Sequence, residues 1–183
     1  MEHMVFDRFA LNLAAKTIKN DGVIIFPTET VYGLGGLVTS EVAIKRMYEI
    51  KKRPAGKPFQ ILISDLSQLD ELTDKVSEKA QELISKHWPG PLTLIFKNKG
   101  GSSTVGVRMP DHSLLRELIK LTGPLASSSA NLSGESDPTS ADEVKIEADL
   151  LLDGGKCRLG QPSTVIDASV DPPQILRQGS IKI

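Results

Sequence analysis

Three groups of polar residues in this sequence have the types and spacing that ligand binding requires. The first runs from Pro27 to Gly36, after a short apolar segment, and carries two threonine hydroxyls, a tyrosine hydroxyl and three glycines. Hydroxyls donate and accept hydrogen bonds, and glycines let a backbone approach a ligand closely. A solvated turn is the alternative, although such turns rarely combine tyrosine and valine with so many glycines. The pattern predicts a loop that forms the floor of a binding site.

The second group is basic and follows a predicted helix. Lys51, Arg53 and Lys57 concentrate positive charge on a segment that Pro54 and Pro58 stiffen, so little entropy is lost when it binds an anion. A solvated helix end is the alternative, because the helix dipole favours cations near a C-terminus. The Gly-x-x-x-x-Gly-Lys-Ser/Thr motif is missing, which argues against a P-loop.

The third group combines a serine-rich stretch with an isolated arginine. Residues 127–134 follow a predicted buried strand, and ligands often bind at such strand ends in α/β folds. Without a Gly-x-Ser-x-Gly elbow, these serines are interpreted as ligand donors rather than nucleophiles. Arg108 stands among apolar residues near a strand end, where its guanidinium can bind a carboxylate or phosphate in bidentate geometry. An internal salt bridge is the alternative, and Thr104 falls on the same side of that strand.

These groups lie between helices and strands that the hydrophobic pattern predicts. A helix is expected over residues 7–19, with Asp7 as its N-cap and Phe9, Leu13 and Ala14 on one face. Ser40, Ser77 and Ser113 are expected to cap three further helices. Strands are expected at 23–26, 59–63, 92–96, 104–108, 150–152, 164–166 and 175–177. This mixture predicts one α/β domain over residues 1–183.

Composition excludes several classes of protein. The 183 residues carry a net charge of −1, which is unlike a dedicated nucleic-acid-binding domain. A single cysteine, Cys157, rules out an internal disulfide framework and fits a reducing cytosol, and the three histidines have no metal-ligand spacing. The sequence has neither a membrane-span pattern nor a signal-peptide pattern, so the cytoplasm is the expected location.

Taken together, the motifs resemble the YrdC-like threonylcarbamoyl-AMP synthase family, in its single-domain form. The resemblance rests on matches in chain order over nearly the whole sequence: residues 26–35, 51–54, 88–93, 107–112, 129–134, 162–167 and 176–179. It implies an open, twisted, mixed α/β sheet with flanking helices and a large basic concave cavity. It also implies a nucleotidyltransferase that converts L-threonine, bicarbonate or CO₂, and ATP into threonylcarbamoyl-adenylate and pyrophosphate. That product would serve the N6-threonylcarbamoyl modification of tRNA adenosine 37 through downstream transferase proteins.

The resemblance also implies residue roles, each carried over by motif. Lys51 and Arg53 would be catalytic, and no residue would form a protein-based metal site because Mg²⁺ would arrive with ATP. The threonine-binding residues would be Thr30, Arg108, Ser127 and Ser163. The ATP-binding residues would be Arg53, Lys57, Thr104, Ser129, Asn131, Asp137 and Arg177. Two positions depart from the family pattern: Leu62 replaces a histidine of longer relatives, and Asp137 replaces a small polar residue.

Two other functions are consistent with the same sequence. A basic rim formed by Lys45, Arg46, Lys51 and Lys52 would suit a module that binds double-stranded RNA or tRNA, and family relatives have been linked to double-stranded RNA. Such binding would be strongly salt-dependent and blind to sequence. A nucleotide sensor would instead bind ATP without turnover.

Overall fold

Within residues 1–54 and 56–183, which the computed structural model describes, ten strands form one mixed sheet and four α-helices flank it. The strands are β1 Glu2–Val5, β2 Ile24–Phe26, β3 Gly33–Leu37, β4 Gln60–Leu62, β5 Leu92–Lys97, β6 Thr104–Arg108, β7 Leu125–Ser129, β8 Leu150–Asp153, β9 Thr164–Asp167 and β10 Gln174–Arg177. The helices are α1 Arg8–Lys19, α2 Glu41–Lys51, α3 Glu78–His87 and α4 Ser113–Thr122. The strand order is β1-β8-β2-β3-β7-β4-β6-β5-β9-β10.

Side-chain caps fix where the helices begin. Asp7 accepts hydrogen bonds from the backbone of Phe9 and Ala10, and Ser40 and Ser77 each accept one from the third residue beyond, as the sequence predicts. The fourth cap is a correction. His112, rather than Ser113, is the N-cap of α4, because its Nδ1 accepts from the backbone N–H of Leu115 at 3.3 Å.

Both faces of the sheet are packed by helices, but not over the same width. On one face α2 and α3 cover two apolar clusters, which include Leu34 with Met47 and Ile61 with Ile84. On the other face α1 and α4 pack together over β8, β2 and the adjoining ends of β7 and β4. Beyond these two helices the second face is not covered in the same way, and the candidate site lies there.

Three expectations about local structure are wrong. Strand β1, which pairs in parallel with β8, is missed because its four residues show no apolar run. Residues 33–37 form β3 instead of continuing a loop, since they pair with β2 on one side and β7 on the other. Phe9 is 88% exposed rather than on the buried face of α1.

No helix of the described residues is both long and apolar enough to cross a membrane.

Candidate functional site

The uncovered part of the sheet face is the floor of a cavity of about 350 Å³. Strand pairing aligns Gln60 with Ser127 and Leu62 with Arg108, and side chains alternate between faces along each strand. The lining residues come from β4, β5, β6, β7, β9 and β10 and from the loops around them. They are Val31, Arg53, Pro58, Phe59, Gln60, Thr93, Ile95, Thr104, Gly106, Arg108, Ser127, Ser128, Ser129, Asp137, Pro162, Ser163, Val165 and Arg177.

Arg108 is the most buried charged side chain of this cavity, at 3% exposure. Its Nη2 lies 2.8 Å from Oε2 of Glu29, which is also buried, and its Nε donates to the carbonyl of Gly90 at 3.2 Å. The Nη2–Oε2 contact lacks the angle of a hydrogen bond, so charge holds the pair together. The internal salt bridge, which is the alternative for Arg108, is therefore present, and binding of a ligand by the same guanidinium stays a prediction for a residue that lines the cavity.

A smaller recess of about 20 Å³ adjoins the cavity at Arg108. Thr28 and Thr30 form part of its wall, with their hydroxyl oxygens 2.7 Å apart, and Leu62 and Gln60 form another part. Leu62 presents only apolar atoms where the resemblance expects a histidine in longer relatives. Residues 28 and 30–33 of the predicted Pro27–Gly36 floor line this recess, and Val31 also lines the cavity.

Two further arginines, Arg53 and Arg177, and one carboxylate, Asp137, also line the cavity. Arg53 donates to the carbonyls of Lys57 and Pro58, at 2.9 and 3.0 Å. Arg177 donates to the carbonyl of Ser163 at 2.8 Å. Burial lowers the pKa of each guanidinium from its ordinary value, and Asp137 opposes this at Arg177. These two arginines can therefore balance the charge of an anion, and Asp137 partly offsets them.

Lys51 lies outside the set of described residues that line the cavity. It is 1% exposed, and its Nζ donates to the carbonyls of Ser129 and Asn131, the latter at 2.6 Å. Burial lowers the pKa of Lys51 to about 8, with Arg53 acting in the same direction and Asp137 against it. Lys51 thus braces the end of β7 and the loop after it, and its catalytic role stays a prediction.

Two predicted ATP-binding residues also fall outside the lining. The side chain of Lys57 is exposed, and its backbone carbonyl accepts hydrogen bonds from Arg53 and from the Tyr48 hydroxyl. Asn131 accepts from the Ser129 hydroxyl at 2.6 Å through Oδ1, which shapes the loop after β7. Ala55, within the predicted basic segment, lies outside the described residues. The other predicted site residues line the cavity or the recess: Thr30, Arg53, Thr104, Arg108, Ser127, Ser129, Asp137, Ser163 and Arg177.

The glycines of residues 33–36 pack closely against neighbouring residues, and Gly33 also lines the recess. A Cβ on Gly33 or Gly35 would lie 2.8 Å from the ring of Phe26, and one on Gly36 would lie 2.9 Å from Ala43. Gly106 is different. A Cβ there would make ordinary contacts with Thr93 and Gln60, at 3.6 and 3.7 Å, inside the cavity.

Sequence reasoning missed Gln60, Thr93 and Gly106 as site residues. The signal was present for the first two, since each is a polar residue inside an otherwise apolar predicted strand. The basic rim proposed for RNA binding is also altered. Arg46 is paired in bidentate geometry with Asp149 at 2.8 Å and Lys51 is buried, so neither offers a free surface charge.

Comparison with known proteins places this arrangement in a family. The family model Sua5_yciO_yrdC, described as telomere recombination, matches residues 16–179. The chain belongs to the Sua5/YciO/YrdC family. The sequence is 42% identical to a threonylcarbamoyl-AMP synthase of Pyrococcus abyssi over 97% of this chain and 56% of the relative. It is 43% identical to the threonylcarbamoyl-AMP synthase of Bacillus subtilis over 92% of this chain and 53% of the relative.

A solved structure supports the same assignment. The crystal structure of P. abyssi Sua5 complexed with L-threonine aligns with a TM-score of 0.88 at 41% identity, over 97% of this chain and 56% of that one. The predicted fold of a mixed α/β sheet with flanking helices is therefore confirmed. The chain spans about half the length of the P. abyssi and B. subtilis relatives.

Proposed function

We propose that this chain is a threonylcarbamoyl-AMP synthase, which joins L-threonine, bicarbonate or CO₂, and ATP into threonylcarbamoyl-adenylate with release of pyrophosphate. The observation that carries the proposal is one cavity lined by three arginines, of which Arg108 is held by a buried carboxylate while Arg53 and Arg177 are held, among the described residues, only by backbone carbonyls and a serine hydroxyl. Arg108 suits the carboxylate of an amino acid, and the other two arginines suit phosphates. The names of the relatives and the threonine complex of P. abyssi Sua5 support it.

On the amino-acid side, Arg108 binds the carboxylate of threonine, with Thr30, Ser127 and Ser163 beside it. A charge-assisted hydrogen bond of this kind contributes about 1.5–3 kcal/mol. Because Glu29 and the carbonyl of Gly90 hold the guanidinium in place, little conformational freedom is lost on binding.

On the nucleotide side, Arg53 and Arg177 bind the phosphates. The other residues proposed there are Lys57, Thr104, Ser129, Asn131 and Asp137. The described residues contain no group of three or more metal-ligating side chains, and Mg²⁺ typically binds through one or two carboxylates plus substrate phosphates. Asp137 is the carboxylate that fits this role, and Mg²⁺ bound with ATP would neutralise phosphate charge.

The reaction needs positioning more than a protein nucleophile. The threonine amine attacks the carbon of CO₂ and loses a proton, which gives a carbamate. A carbamate oxygen then attacks the α-phosphorus of ATP, and the bond to the β-phosphate breaks as pyrophosphate leaves. Catalysis consists of holding the two substrates in line and stabilising the developing charge through the arginines. Lys51 supports this arrangement by holding the end of β7 and the loop after it in place.

The product would supply the N6-threonylcarbamoyl modification of adenosine 37 in tRNA, in the cytoplasm and through downstream transferase proteins. Binding of tRNA or double-stranded RNA by the remaining exposed cations is the second candidate function. If the purified protein does not bind RNA even at low salt, where electrostatic binding is strongest, this second function is excluded.

The test is pyrophosphate release from ATP in bicarbonate buffer with purified, folded protein. We expect pyrophosphate release that requires L-threonine and does not occur when an amino acid with a different side chain replaces it. Release that does not depend on threonine, or no release at all, would contradict the proposal.

A further inference from the structure

Gln60 lies where the cavity and the recess meet, and it lines both of them. It is aligned with Ser127 across β4 and β7, and its Cβ lies near the surface that Gly106 leaves open. On the proposed function, one side of this position is occupied by the amino acid at Arg108 and the other by the nucleotide. The one-carbon group that links them must lie between the two.

Hydrogen bonds orient the carboxamide of Gln60. Its Oε1 accepts from the Thr93 hydroxyl at 2.9 Å, and that hydroxyl lies 2.8 Å from the hydroxyl of Ser163. Arg177 in turn donates to the carbonyl of Ser163. Within residues 1–54 and 56–183, the Nε2 of Gln60 has no hydrogen-bond partner, so two N–H donors remain for a ligand.

We propose that Gln60 binds the one-carbon unit of the reaction, first as CO₂ or bicarbonate and then as the carbamate carboxylate. This inference rests on the proposed function and adds a residue to it. The three arginines that line the cavity are already assigned to the two substrates, and Gln60 and Thr93 are neutral members of the same lining.

A neutral donor suits this group for a chemical reason. The carbamate oxygen must remain nucleophilic toward the α-phosphorus, and a charge-assisted bond to a guanidinium is roughly twice as strong as a neutral one. An amide donor therefore orients the carbamate while withdrawing less of its electron density. Thr93 is a positioning residue, because its hydroxyl fixes which atom of Gln60 accepts and leaves the amide nitrogen for the ligand.

The experiment compares Gln60→Ala and Thr93→Val with the wild type and with a matched control, Gln81→Ala, on the opposite face at an exposed site of α3. Calorimetry measures L-threonine and an unreactive ATP analogue separately, and a pyrophosphate assay titrates bicarbonate. We expect Gln60→Ala to bind both ligands within about threefold of wild type, while turnover falls about tenfold, the effect of one lost hydrogen bond. In Gln60→Ala the bicarbonate concentration that gives half-maximal rate should rise, and in Thr93→Val it should rise as well. In the control Gln81→Ala, ligand binding, turnover and this bicarbonate concentration should all equal those of the wild type.

The outcomes separate this inference from the function on which it rests. An active wild type with unchanged bicarbonate dependence in Gln60→Ala overturns the role of Gln60 alone. A wild type without threonine-dependent pyrophosphate release overturns both. If Gln60→Ala does not fold, Gln60→Glu keeps the side-chain shape and places a negative charge against the carbamate, so an unchanged bicarbonate dependence in that variant also overturns the proposal.

Discussion

The two halves of one sheet face differ in what covers them and in what their side chains can do. Under α1 and α4 the face carries Ile24, Phe26 and Leu150, all buried and apolar. Beyond these helices the same face carries serines, threonines, glutamine and arginine around an open cavity. The apolar side chains of the first half stabilise the fold, and the polar side chains of the second half are available to bind a ligand.

The change takes place within single strands. In β7, Leu125 belongs to the apolar cluster, whereas Ser127, two residues further along the same face, lines the cavity. In β4, Leu62 belongs to that cluster and Gln60 lines the cavity. A strand can therefore hold the core at one end and the site at the other, and the boundary is set by where the helices stop.

The largest difference is expected between two arginine–carboxylate pairs. Arg108→Ala leaves the buried carboxylate of Glu29 without its partner, and breaking such a pair costs about 3–5 kcal/mol of unfolding free energy. Arg46→Ala breaks the half-exposed pair with Asp149 and should cost about 1 kcal/mol or less. Urea denaturation of both variants measures the two costs. Equal losses would contradict the assignment of Arg108 to a buried, compensated site.

The next difference is between apolar side chains of the two halves. Leu118 of α4 is fully buried in the covered half, so Leu118→Ala should cost about 2–5 kcal/mol. Ile95 lines the cavity and is only half-buried, so Ile95→Ala enlarges a space that is already open and should cost less. Thermal and chemical denaturation compare them, and a larger loss for Ile95→Ala would mean that the open half is packed after all.

Glycine substitutions should separate stability from activity. Gly106→Ala adds a methyl group at ordinary contact distances inside the cavity, and the loss of unfolded-state freedom stabilises by about 0.4–1 kcal/mol. It should nevertheless lower threonine-dependent pyrophosphate release, because it fills the floor. Gly35→Ala should instead destabilise, since its Cβ would lie 2.8 Å from the Phe26 ring and 2.9 Å from the carbonyl of Ala126. Unfolding free energy and activity, measured on both variants, check this, and full activity in Gly106→Ala would contradict it.

The smallest expected effect is a pH dependence in the covered half. Burial lowers the pKa of His112, against the opposing effect of Glu29 and Asp111, and the neutral ring caps α4. As the pH falls below about 6.5, the imidazole of His112 binds a proton in the unfolded chain, whereas the folded chain keeps it neutral down to its lower pKa. The free energy of unfolding therefore decreases as the pH falls toward that lower pKa. His112→Asn keeps a capping side chain and should lose less stability between pH 6.5 and 5. Parallel urea titrations measure this, and identical pH profiles would exclude His112 as the cause.

Much of this arrangement could be predicted from the sequence, because apolar runs and capping residues are local signals. Strands β2, β5, β6 and β9 and the caps at Asp7, Ser40 and Ser77 follow from them directly. Strand β1 and the pairing of β3 depend on partners distant in the chain, so no local pattern reveals them.

The site shows the same division. Motifs pointed to Arg108, Ser127, Ser163 and Arg177, which the fold brings to one cavity. They could not show that Lys51 is enclosed by backbone carbonyls, or that Arg108 already has a carboxylate partner. Both contacts join residues about 80 positions apart in the chain, so no local pattern reveals them.

The most direct test is a crystal structure of this chain with L-threonine and an unreactive ATP analogue. Both ligands are expected in the open half of the face, with the threonine carboxylate at Arg108 and the phosphates at Arg53 and Arg177. Either ligand bound on another surface, or two ligands that exclude each other from the cavity, would contradict this expectation.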